Sequence, residues 1–326
     1  MFKALVLEQE DKKTLASIQT LEESQLPEGD VLVEVDYTSL NYKDGLAVTG
    51  KGKIVRQFPM VPGIDLVGRV LESSDNRYQA GDQVVLTGWG VGEGHWGGMA
   101  EKARLNADWL VPLPKGLEAI NAMKIGTAGL TAMLCVQSLV DAGVKPGAGE
   151  VLVTGASGGV GSVAVTLLAK LGYEVAAVTG RVEENGPLLK SLGAGRIIDR
   201  VEFEEPARPL EKQVWAGAVD TVGSKVLAKV LAQVDYNGAV AACGLAGGFD
   251  LPTTVMPFIL RNVSLLGVDS VSCPFDKRQK AWAKLVELLP ASYFDQACQL
   301  ISLEQVPEYA EAITCGKVTG RVVIKP

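Results

Sequence analysis

Residues 151–161 read Val-Leu-Val-Thr-Gly-Ala-Ser-Gly-Gly-Val-Gly, and the first fold prediction follows from this stretch. The opening residues are typical of a buried β-strand, and the glycines after them predict a tight turn. Apolar residues then recur every three or four positions, as on one face of a helix. These positions are Val160, Val163, Ala164, Leu167, Leu168 and Leu171. A strand, a glycine-rich turn and a helix in this order predict the opening of a dinucleotide-binding βαβ unit.

The glycine fingerprint of this turn is incomplete. Its second half is present as Gly158-x-x-Gly161, but Ala156 stands where the first glycine is usual. Glycines also serve turns that bind nothing, so the prediction depends on the flanking strand and helix. In that context we expect the turn to place the pyrophosphate of a nucleotide at the helix N-terminus.

The second strand of the unit, residues 174–178, indicates which nucleotide is bound. In NAD-binding units this strand ends in Asp or Glu, whose carboxylate accepts from the ribose hydroxyls. Here the strand runs into Thr179, Gly180 and Arg181, with no carboxylate. Arg181 offers a planar fork to a 2′-phosphate, with the Thr179 hydroxyl and the Gly180 amide as further donors. The sequence therefore predicts NADPH rather than NADH, the alternative being that Arg181 is a solvated turn arginine.

The pattern of predicted secondary structure changes along the chain. Short strands and glycine-dense loops dominate to about residue 121, and strands alternate with helices from 122 to 267. That alternation predicts a parallel sheet covered by helices on both faces. Residues 320–325 form a last strand, which is most simply placed back in the first domain. We therefore predict an α/β protein with a β-rich domain (1–121 and 268–326) and an inserted Rossmann domain (122–267).

Composition excludes several functional classes. The 326 residues are 47% hydrophobic and 21% charged, which indicates a folded globular protein of about two domains. A net charge of −7 argues against a nucleic-acid surface. We see no apolar run of the roughly 18 residues that a membrane span needs, and the N-terminus reads as a strand. The sequence predicts a soluble cytoplasmic protein without nucleic-acid or membrane partners.

The metal-ligand inventory is small. The five cysteines are widely separated, and the single histidine, His95, has no plausible partners for a zinc site. They are Cys135, Cys243, Cys273, Cys298 and Cys315. We expect reduced thiols and no metal, with His95 in a packing or hydrogen-bonding role and Cys135 in the core.

Residues 39–44, Ser-Leu-Asn-Tyr-Lys-Asp, follow a predicted strand and join hydrogen-bonding groups to a tyrosine. A loop from the first domain must cover the nicotinamide end of the cofactor, and residues 41–44 are the candidate. Tyr42 could donate to a substrate carbonyl or to the cofactor carboxamide. The alternative is a tyrosine packed at a strand end.

Residues 41–44, 61–65 and 97–101 occur with the nucleotide turn in the same order in the zinc-independent medium-chain dehydrogenases/reductases, which the whole chain resembles. Within that superfamily the chain is most similar to the bacterial acrylyl-CoA reductase group of the quinone-oxidoreductase branch. Further stretches carry this finer resemblance: residues 87–92, 95–98, 243–248 and 257–262.

The resemblance implies a GroES-like catalytic domain beside the Rossmann domain, a cleft between them, and a homodimer. It also implies the loss of both zinc ions of the related alcohol dehydrogenases. Gly63-Ile64-Asp65 stands where those enzymes have Gly-His-Glu, and their four-cysteine lobe is missing.

The resemblance also carries site residues over to this chain. The implied cofactor contacts are Tyr42, Ser157, Gly158, Gly159, Val160, Thr179, Gly180 and Arg181, with Leu245 and Asn262 as further contacts. Arg321, near the last strand, could meet a cofactor or substrate phosphate, or could be a surface arginine.

The implied reaction is hydride transfer from NADPH to the β-carbon of a 2-enoyl-CoA, such as acryloyl-CoA, to give propanoyl-CoA. Enolate charge on the thioester oxygen would be stabilised by donors near Asn41 and Tyr42, and Tyr42 or water would protonate the α-carbon. Lys51, Lys53 and Arg56 are the candidate contacts for the coenzyme A phosphates, the alternative being a solvated loop.

Two other functions stay open at this point. A quinone reductase would share the fold and the cofactor, and Trp89 and Trp96 could stack on its flat acceptor. A non-enzymatic NADPH-binding protein is the second, because some relatives in this branch have binding or structural roles.

Overall fold

All 326 residues are described by a computed structural model of the chain, which divides into two compact units. The first unit comprises Met1–Thr127, Val271–Val286 and Cys298–Pro326, and the second comprises Ala128–Ser270 and Glu287–Ala297. The segment 287–297, which the sequence analysis assigned to the first domain, packs with the second unit.

Fifteen strands form three sheets. In chain order they are β1 (Phe2–Glu10), β2 (Lys13–Leu21), β3 (Val31–Leu40), β4 (Asp65–Ser73), β5 (Gln83–Thr87), β6 (Lys102–Leu105), β7 (Leu110–Pro112), β8 (Glu150–Val153), β9 (Glu174–Thr179), β10 (Arg196–Asp199), β11 (Trp215–Asp220), β12 (Val234–Ala242), β13 (Ser264–Gly267), β14 (Cys298–Ser302) and β15 (Arg321–Lys325).

Nine α-helices and four short 3₁₀ helices connect the strands. The α-helices are α1 (Tyr42–Thr49), α2 (Ala119–Asp141), α3 (Gly159–Lys170), α4 (Val182–Ser191), α5 (Ser224–Gln233), α6 (Met256–Arg261), α7 (Phe275–Leu288), α8 (Ala291–Gln296) and α9 (Val306–Thr314). The 3₁₀ helices cover Glu23–Gln25, Ala107–Trp109, Arg200–Phe203 and Leu303–Gln305.

The second unit is built on a fully parallel six-stranded sheet in the order β10-β9-β8-β11-β12-β13. Counted from β8, this is the 3-2-1-4-5-6 order of the doubly wound dinucleotide-binding fold, so the predicted Rossmann architecture is confirmed. The strand order reverses between β8 and β11, and ligands of this fold bind outside the carboxyl ends of the strands at that point.

The first unit is mostly antiparallel β-structure. Its larger sheet runs β14-β15-β3-β4-β5-β7, with β6 also paired to β3, and β1 and β2 form a separate hairpin. The last strand, β15, pairs antiparallel to β3, as predicted for the terminal segment. Buried residues such as Leu5, Leu40, Met60 and Val322 form one of its cores.

Helix α2 is long and apolar enough to span a membrane by length and composition alone, and 72% of its most apolar window is buried. A core helix passes the same test, and α2 is also broken at Gly126, where φ is 52° and ψ is −160°. No apolar run of sufficient length was expected from the sequence, so α2 differs from that expectation.

Candidate cofactor site and candidate active site

The glycine turn between β8 and α3 explains why Ala156 is tolerated. The left-handed backbone conformation falls one residue earlier, on Gly155 (φ 57°), and Ala156 is fully buried without positive φ. Gly161, by contrast, has no room for a side chain, because a Cβ there would lie 2.6 Å from the Cα of Ala156 and would overlap the Gly155 carbonyl oxygen. The turn therefore needs glycine at 155 and 161 and accepts alanine at 156.

A hydroxyl–carboxylate network holds the ends of β8 and β11 at the switch point of the sheet. The Thr154 hydroxyl donates to Asp220 Oδ1 at 2.7 Å, and the Thr221 hydroxyl donates to the Thr154 carbonyl at 2.9 Å. The other carboxylate oxygen of Asp220 accepts from the Gly223 amide at 2.7 Å. Burial raises the pKa of Asp220. These residues were not predicted from the sequence, although polar side chains at the end of a buried strand are a recognisable signal.

The junction of turn and helix fits a pyrophosphate. Helix α3 begins at Gly159 with Gly158 as its N-cap, and Ser157, Gly158, Gly159 and Val160 are all half-buried. The first-turn amides of a helix have no intrahelical acceptor and carry the positive end of the helix dipole. Glycine at 158 and 159 leaves the approach to those amides free of side chains. The four predicted contacts thus form one contiguous surface.

The end of β9 carries the predicted 2′-phosphate residues, but they differ in role. Thr179 is 3% exposed, and its hydroxyl lies 3.2 Å from that of Ser157 and accepts from the Arg181 amide at 3.3 Å. It therefore holds the turn and is not presented to solvent as a phosphate donor. Gly180 is exposed, and Arg181 pairs with Glu184 at 2.8 Å.

Arg200 also belongs to this cluster, and the sequence analysis missed it. Asp199, the last residue of β10, is in register with Thr179, so the residue that follows it comes alongside the end of β9. A Cβ at Gly180 would lie 3.0 Å from the Arg200 guanidinium carbon. The signal was available, since neighbouring parallel strands end at the same edge of a sheet.

Leu245 lies near the carboxyl ends of the strands of this sheet, and Asn262 lies near their amino ends. Leu245 is exposed in the loop after β12, which contacts residues 221–224 beside the glycine turn. Asn262 precedes β13, and Ser264 is level with Val151 through successive strand pairs, so Asn262 stands before the start of the sheet. Its side chain donates to Asn237 at 2.8 Å. The structure therefore does not bring Asn262 to the nucleotide turn.

In the first unit, residues 41–44 begin a helix, where the sequence analysis expected a loop. Asn41 is the N-cap of α1, and Asp44 accepts a hydrogen bond from the Asn41 amide at 2.8 Å, the arrangement of a capping residue. Tyr42 is the first helical residue, and 37% of its surface is exposed. No hydrogen bond within the chain is found for its hydroxyl.

Asn41 is 8% exposed, and both N–H donors of its side-chain amide are engaged. Nδ2 donates to Asp65 at 2.8 Å and to Ser39 at 3.3 Å, while Oδ1 accepts from Arg321 at 3.0 Å. Asn41 is therefore not a free donor for enolate charge, in contrast to the sequence-based expectation. Arg321 is 2% exposed, so it is not the surface arginine that the sequence allowed.

Asp44 is a buried carboxyl beside Tyr42. Its oxygens accept from the amides of Asn41 and Ile64, at 2.8 and 3.0 Å. Burial raises its pKa to about 7, against the lowering effect of these hydrogen bonds, and the nearby charge of Asp65 adds to the increase. This group changes charge within the physiological pH range.

The three basic residues after α1 do not form an unopposed patch. Lys51 is ion-paired with Glu311, and Arg56 lies 4.0 Å from Glu93, which Lys43 binds at 2.6 Å. Lys53 is exposed and no ion pair is found for it. The positive charge offered to a ligand is therefore smaller than the sequence suggests.

The remaining candidates have structural partners. His95 Nε2 lies 2.7 Å from the Arg104 carbonyl, and burial lowers its pKa, in line with the expected packing role. Trp89 stacks against the Arg278 guanidinium at 4.9 Å, and Trp96 donates to the Pro59 carbonyl at 3.1 Å. Cys135 is buried, and a hydrogen bond with Cys243 and burial raise the pKa of its thiol. No three His, Cys, Asp or Glu side chains come together in a group that could hold a metal ion.

Comparison with known proteins places this architecture in a family. Residues 27–115 match the alcohol dehydrogenase GroES-like domain, and residues 159–290 match the zinc-binding dehydrogenase family. The chain is 66% identical to the probable acrylyl-CoA reductase AcuI of Escherichia coli (strain K12), with 99% of each chain covered. It is 53% identical to the acrylyl-CoA reductase AcuI of Ruegeria pomeroyi, again with 99% of each covered.

Solved structures agree with the sequence comparison. The yhdH oxidoreductase of Salmonella enterica in complex with NADP has a TM-score of 0.97 at 65% identity, over 99% of both chains. Protein yhfP of Bacillus subtilis with NAD bound has a TM-score of 0.95 at 44% identity, over 100% of this chain and 99% of that one. The sequence of this relative is named as a putative quinone oxidoreductase. The chain therefore belongs to the medium-chain dehydrogenases/reductases, in the quinone-oxidoreductase branch that includes the bacterial acrylyl-CoA reductases.

Proposed function

We propose that this protein is an NADPH-dependent oxidoreductase that reduces the C=C bond of a 2-enoyl-CoA, acryloyl-CoA in the first place, to the saturated thioester. One observation carries the proposal: Arg181 and Arg200 both stand beside the end of β9, where an NAD-binding unit holds a carboxylate. Relatives covering the whole chain at 66% and 53% identity are named acrylyl-CoA reductases, which gives the substrate class.

The chemistry divides between cofactor and protein. When bound, NADPH supplies the hydride, and the protein supplies binding, orientation and electrostatics. The glycine turn and α3 hold the pyrophosphate, and Arg181 with Arg200 neutralises the 2′-phosphate. Tyr42, which is 37% exposed and whose hydroxyl has no hydrogen-bond partner within the chain, is the residue of the first unit best suited to donate to the thioester oxygen as it gains enolate charge.

Quinone reduction is the second candidate, favoured by the 44% identical relative that is named a putative quinone oxidoreductase. One observation weighs against it. The Trp89 ring that could stack on a flat acceptor lies against Arg278, and the Trp96 indole nitrogen is bound to the Pro59 carbonyl. Both tryptophan side chains therefore already make contacts within the protein.

The test is NADPH oxidation by the purified protein with acryloyl-CoA, crotonyl-CoA and a simple quinone, each repeated with NADH. We expect the highest kcat/KM for acryloyl-CoA with NADPH. Faster turnover of the quinone would establish the second candidate. Absence of NADPH binding and of turnover with every acceptor would contradict both, and NADPH binding without turnover would leave a binding protein.

We also propose a homodimer in the cytoplasm. Strand β13 is an edge of the six-stranded sheet, and the adjacent segment exposes Val255, Ile259 and Leu260 at 65%, 71% and 55%. An open edge beside apolar surface suits a second copy of the chain. Five unbridged cysteines suit a reducing compartment. Light scattering should give twice the chain mass, and Ile259→Glu should give the single-chain mass; a monomeric wild type would refute the proposal.

A further inference from the structure

We propose that Arg321 and Asp65 are positioning residues for the reaction, which act through Asn41 to fix the direction of the Tyr42 hydroxyl. This inference rests on the proposed function, because it assigns Tyr42 its role there. Its structural basis is a buried cluster of charged and polar groups at the first turn of α1, which we call the Asp65 cluster. Its members are Ser39, Asn41, Asp65, Thr127 and Arg321.

Asp65 is fully buried and accepts from several donors. Oδ2 accepts from the Ser39 hydroxyl at 2.6 Å and from Asn41 Nδ2 at 2.8 Å, while Oδ1 accepts from the Thr127 hydroxyl at 2.5 Å. The Thr127 backbone amide reaches both oxygens at 3.0–3.1 Å. Both oxygens act as acceptors in several short hydrogen bonds, which is typical of a carboxylate.

Arg321 supplies the opposite charge. Nη2 lies 3.7 Å from Asp65 Oδ2 and donates to the Ser39 hydroxyl at 2.9 Å. Nη1 donates to Asn41 Oδ1 at 3.0 Å, and Nε donates to the Lys124 carbonyl at 3.1 Å. The guanidinium is therefore held in a single orientation by hydrogen bonds to two segments of the first unit and by the ion pair with Asp65.

The side-chain amide of Asn41 lies between these two charges, and its polarity matches both. Its oxygen faces the guanidinium of Arg321, and its NH₂ group faces the carboxylate of Asp65. A flipped amide would set NH₂ against a cation and oxygen against an anion, so the charges allow only one orientation. The cluster thus fixes the residue immediately before Tyr42.

The backbone carries this constraint into α1. The backbone N–H of Asn41 donates to the Asp44 carboxyl, and the backbone carbonyl of Asn41 accepts from the Gly45 N–H at 3.0 Å. Both backbone groups of the N-cap are therefore bound. Tyr42 follows directly as the first helical residue. The backbone position from which the Tyr42 side chain extends is therefore fixed, which is how a buried cluster can orient the hydroxyl of a partly exposed residue.

The Asp65 cluster also requires that Arg321 and Asp65 approach the backbone of Gly126 closely. This residue has φ 52°, and a Cβ there would lie 2.5 Å from both Arg321 Nη2 and Asp65 Oδ2. Substitution with alanine would therefore displace the pair without removing any of its polar atoms. Gly126→Ala is a useful variant because it disturbs the geometry and leaves the charges in place.

The central experiment is a double-mutant cycle between Arg321→Lys and Tyr42→Phe, with acryloyl-CoA and NADPH. We expect Arg321→Lys to lower kcat at least tenfold, with KM and the NADPH Kd changed less than about threefold, because lysine keeps the charge but cannot form the fork. In the Tyr42→Phe background the same change should lower kcat less than about twofold. An equal loss in both backgrounds would show that Arg321 does not act through Tyr42 and would overturn the proposal.

Two further measurements separate positioning from general stability and from the proposed function. Arg278→Lys is the matched control, since Arg278 is also buried in the first unit but donates to Thr87 and Val271, which lie outside α1. In hydrogen exchange by mass spectrometry, peptides covering 41–50 should exchange faster in Arg321→Lys, Asp65→Asn and Gly126→Ala than in wild type, and not in Arg278→Lys. This readout needs no turnover, so it tests the cluster even if acryloyl-CoA is not the substrate. Unchanged exchange over 41–50 in all three cluster variants would overturn the proposal.

Discussion

The guanidinium of Arg200 lies against the backbone of Gly180, so closely that a Cβ at residue 180 would stand 3.0 Å from its central carbon. Glycine at 180 therefore leaves room for a cation that directly follows β10 to approach the end of β9, and a side chain there would push the guanidinium back by a few tenths of an ångström. Arg200 itself is 60% exposed and has only a loose partner, Glu204 at 3.9 Å. A guanidinium that is held close to a strand end but not committed to a carboxylate can bind a phosphate.

We predict that Arg200→Gln weakens NADPH binding about tenfold and leaves NADH binding unchanged within about twofold, since one charge-assisted contact to a phosphate is lost. Arg181→Gln should do the same, and the double variant should approach equal affinity for both nucleotides. Fluorescence titration of the two reduced cofactors measures each Kd directly.

The matched control for this experiment is Arg196→Gln. Arg196 lies on the same strand as Asp199 but at its start, where it pairs with Glu150 at 2.6 Å. Because Arg196 stands at the amino end of β10, away from the cofactor end of the strands, loss of its guanidinium should change neither Kd. An equal loss of NADPH and NADH affinity in Arg200→Gln would remove Arg200 from the 2′-phosphate site.

Tyr42→Phe should lower kcat for acryloyl-CoA on the order of 10²-fold, the usual contribution of a positioned proton donor, with little change in NADPH affinity. The phenol is half-exposed, so the substitution removes a hydroxyl without leaving a cavity. Pre-steady-state absorbance of NADPH would measure the hydride step itself. A variant with wild-type kcat would assign the donor role to another group, such as water.

The second unit could be predicted from sequence nearly element by element. Its strands are short apolar runs separated by helical periodicity, and the strand–turn–helix of residues 150–170 identifies the fold. The first unit was harder. Strands β2 and β14 alternate only weakly, and α1 follows a strand without a break, so local pattern did not reveal them.

The candidate site was predictable where it follows a motif and not where it depends on tertiary contacts. The glycine turn needs only local residues, and it was found. Arg321 and Asp65 are 256 positions apart in sequence (321 − 65) and are joined by a buried network. Finding Arg200 required the register of β9 and β10. The prediction for Asn262 came from a resemblance in sequence, which does not show at which end of the strands a residue lies.

The basic segment after α1 gives a third prediction, now sharper than the sequence allowed. Because Lys51 is paired with Glu311, we expect Lys53→Gln with Arg56→Gln to account for most of the increase in KM for acryloyl-CoA, about threefold to tenfold for two exposed contacts to phosphate. Lys51→Gln alone should have little effect. KM for a small quinone should not change.

The control for that segment is the pair Lys12→Gln and Lys13→Gln, which removes two exposed positive charges from the turn of the β1–β2 hairpin. If this pair raises KM for acryloyl-CoA as much as Lys53→Gln with Arg56→Gln, the effect is one of net charge and no local contact exists. The measurement is an initial-rate series at low and at high salt, because a contact to phosphate is screened.

Asp44 gives a prediction for stability against pH. Its pKa in the folded protein is raised to about 7 from 3.8, mainly by burial. Between about pH 4 and 7 the folded protein therefore holds a proton that the unfolded chain has lost, and the free energy of unfolding must fall as the pH rises through this window. Each pKa unit corresponds to about 1.4 kcal/mol, so the loss should be a few kcal/mol and complete above pH 7.

Asp44→Asn isolates the titration, because asparagine does not titrate; its one oxygen still accepts from one of the two backbone amides, of Asn41 and Ile64, that bind different oxygens of Asp44, and the lost bond is the same at every pH. We expect the wild type to lose stability relative to the variant between pH 5.5 and 8.5, measured by urea unfolding at both values. The other ionisable groups are common to both proteins and cancel in the difference. A difference in free energy that stays constant with pH would mean that Asp44 keeps an ordinary pKa, with its two backbone hydrogen bonds outweighing the cost of burial. In that case the first turn of α1 would hold a permanent carboxylate beside Tyr42, and the pH dependence of kcat would have to arise from another group.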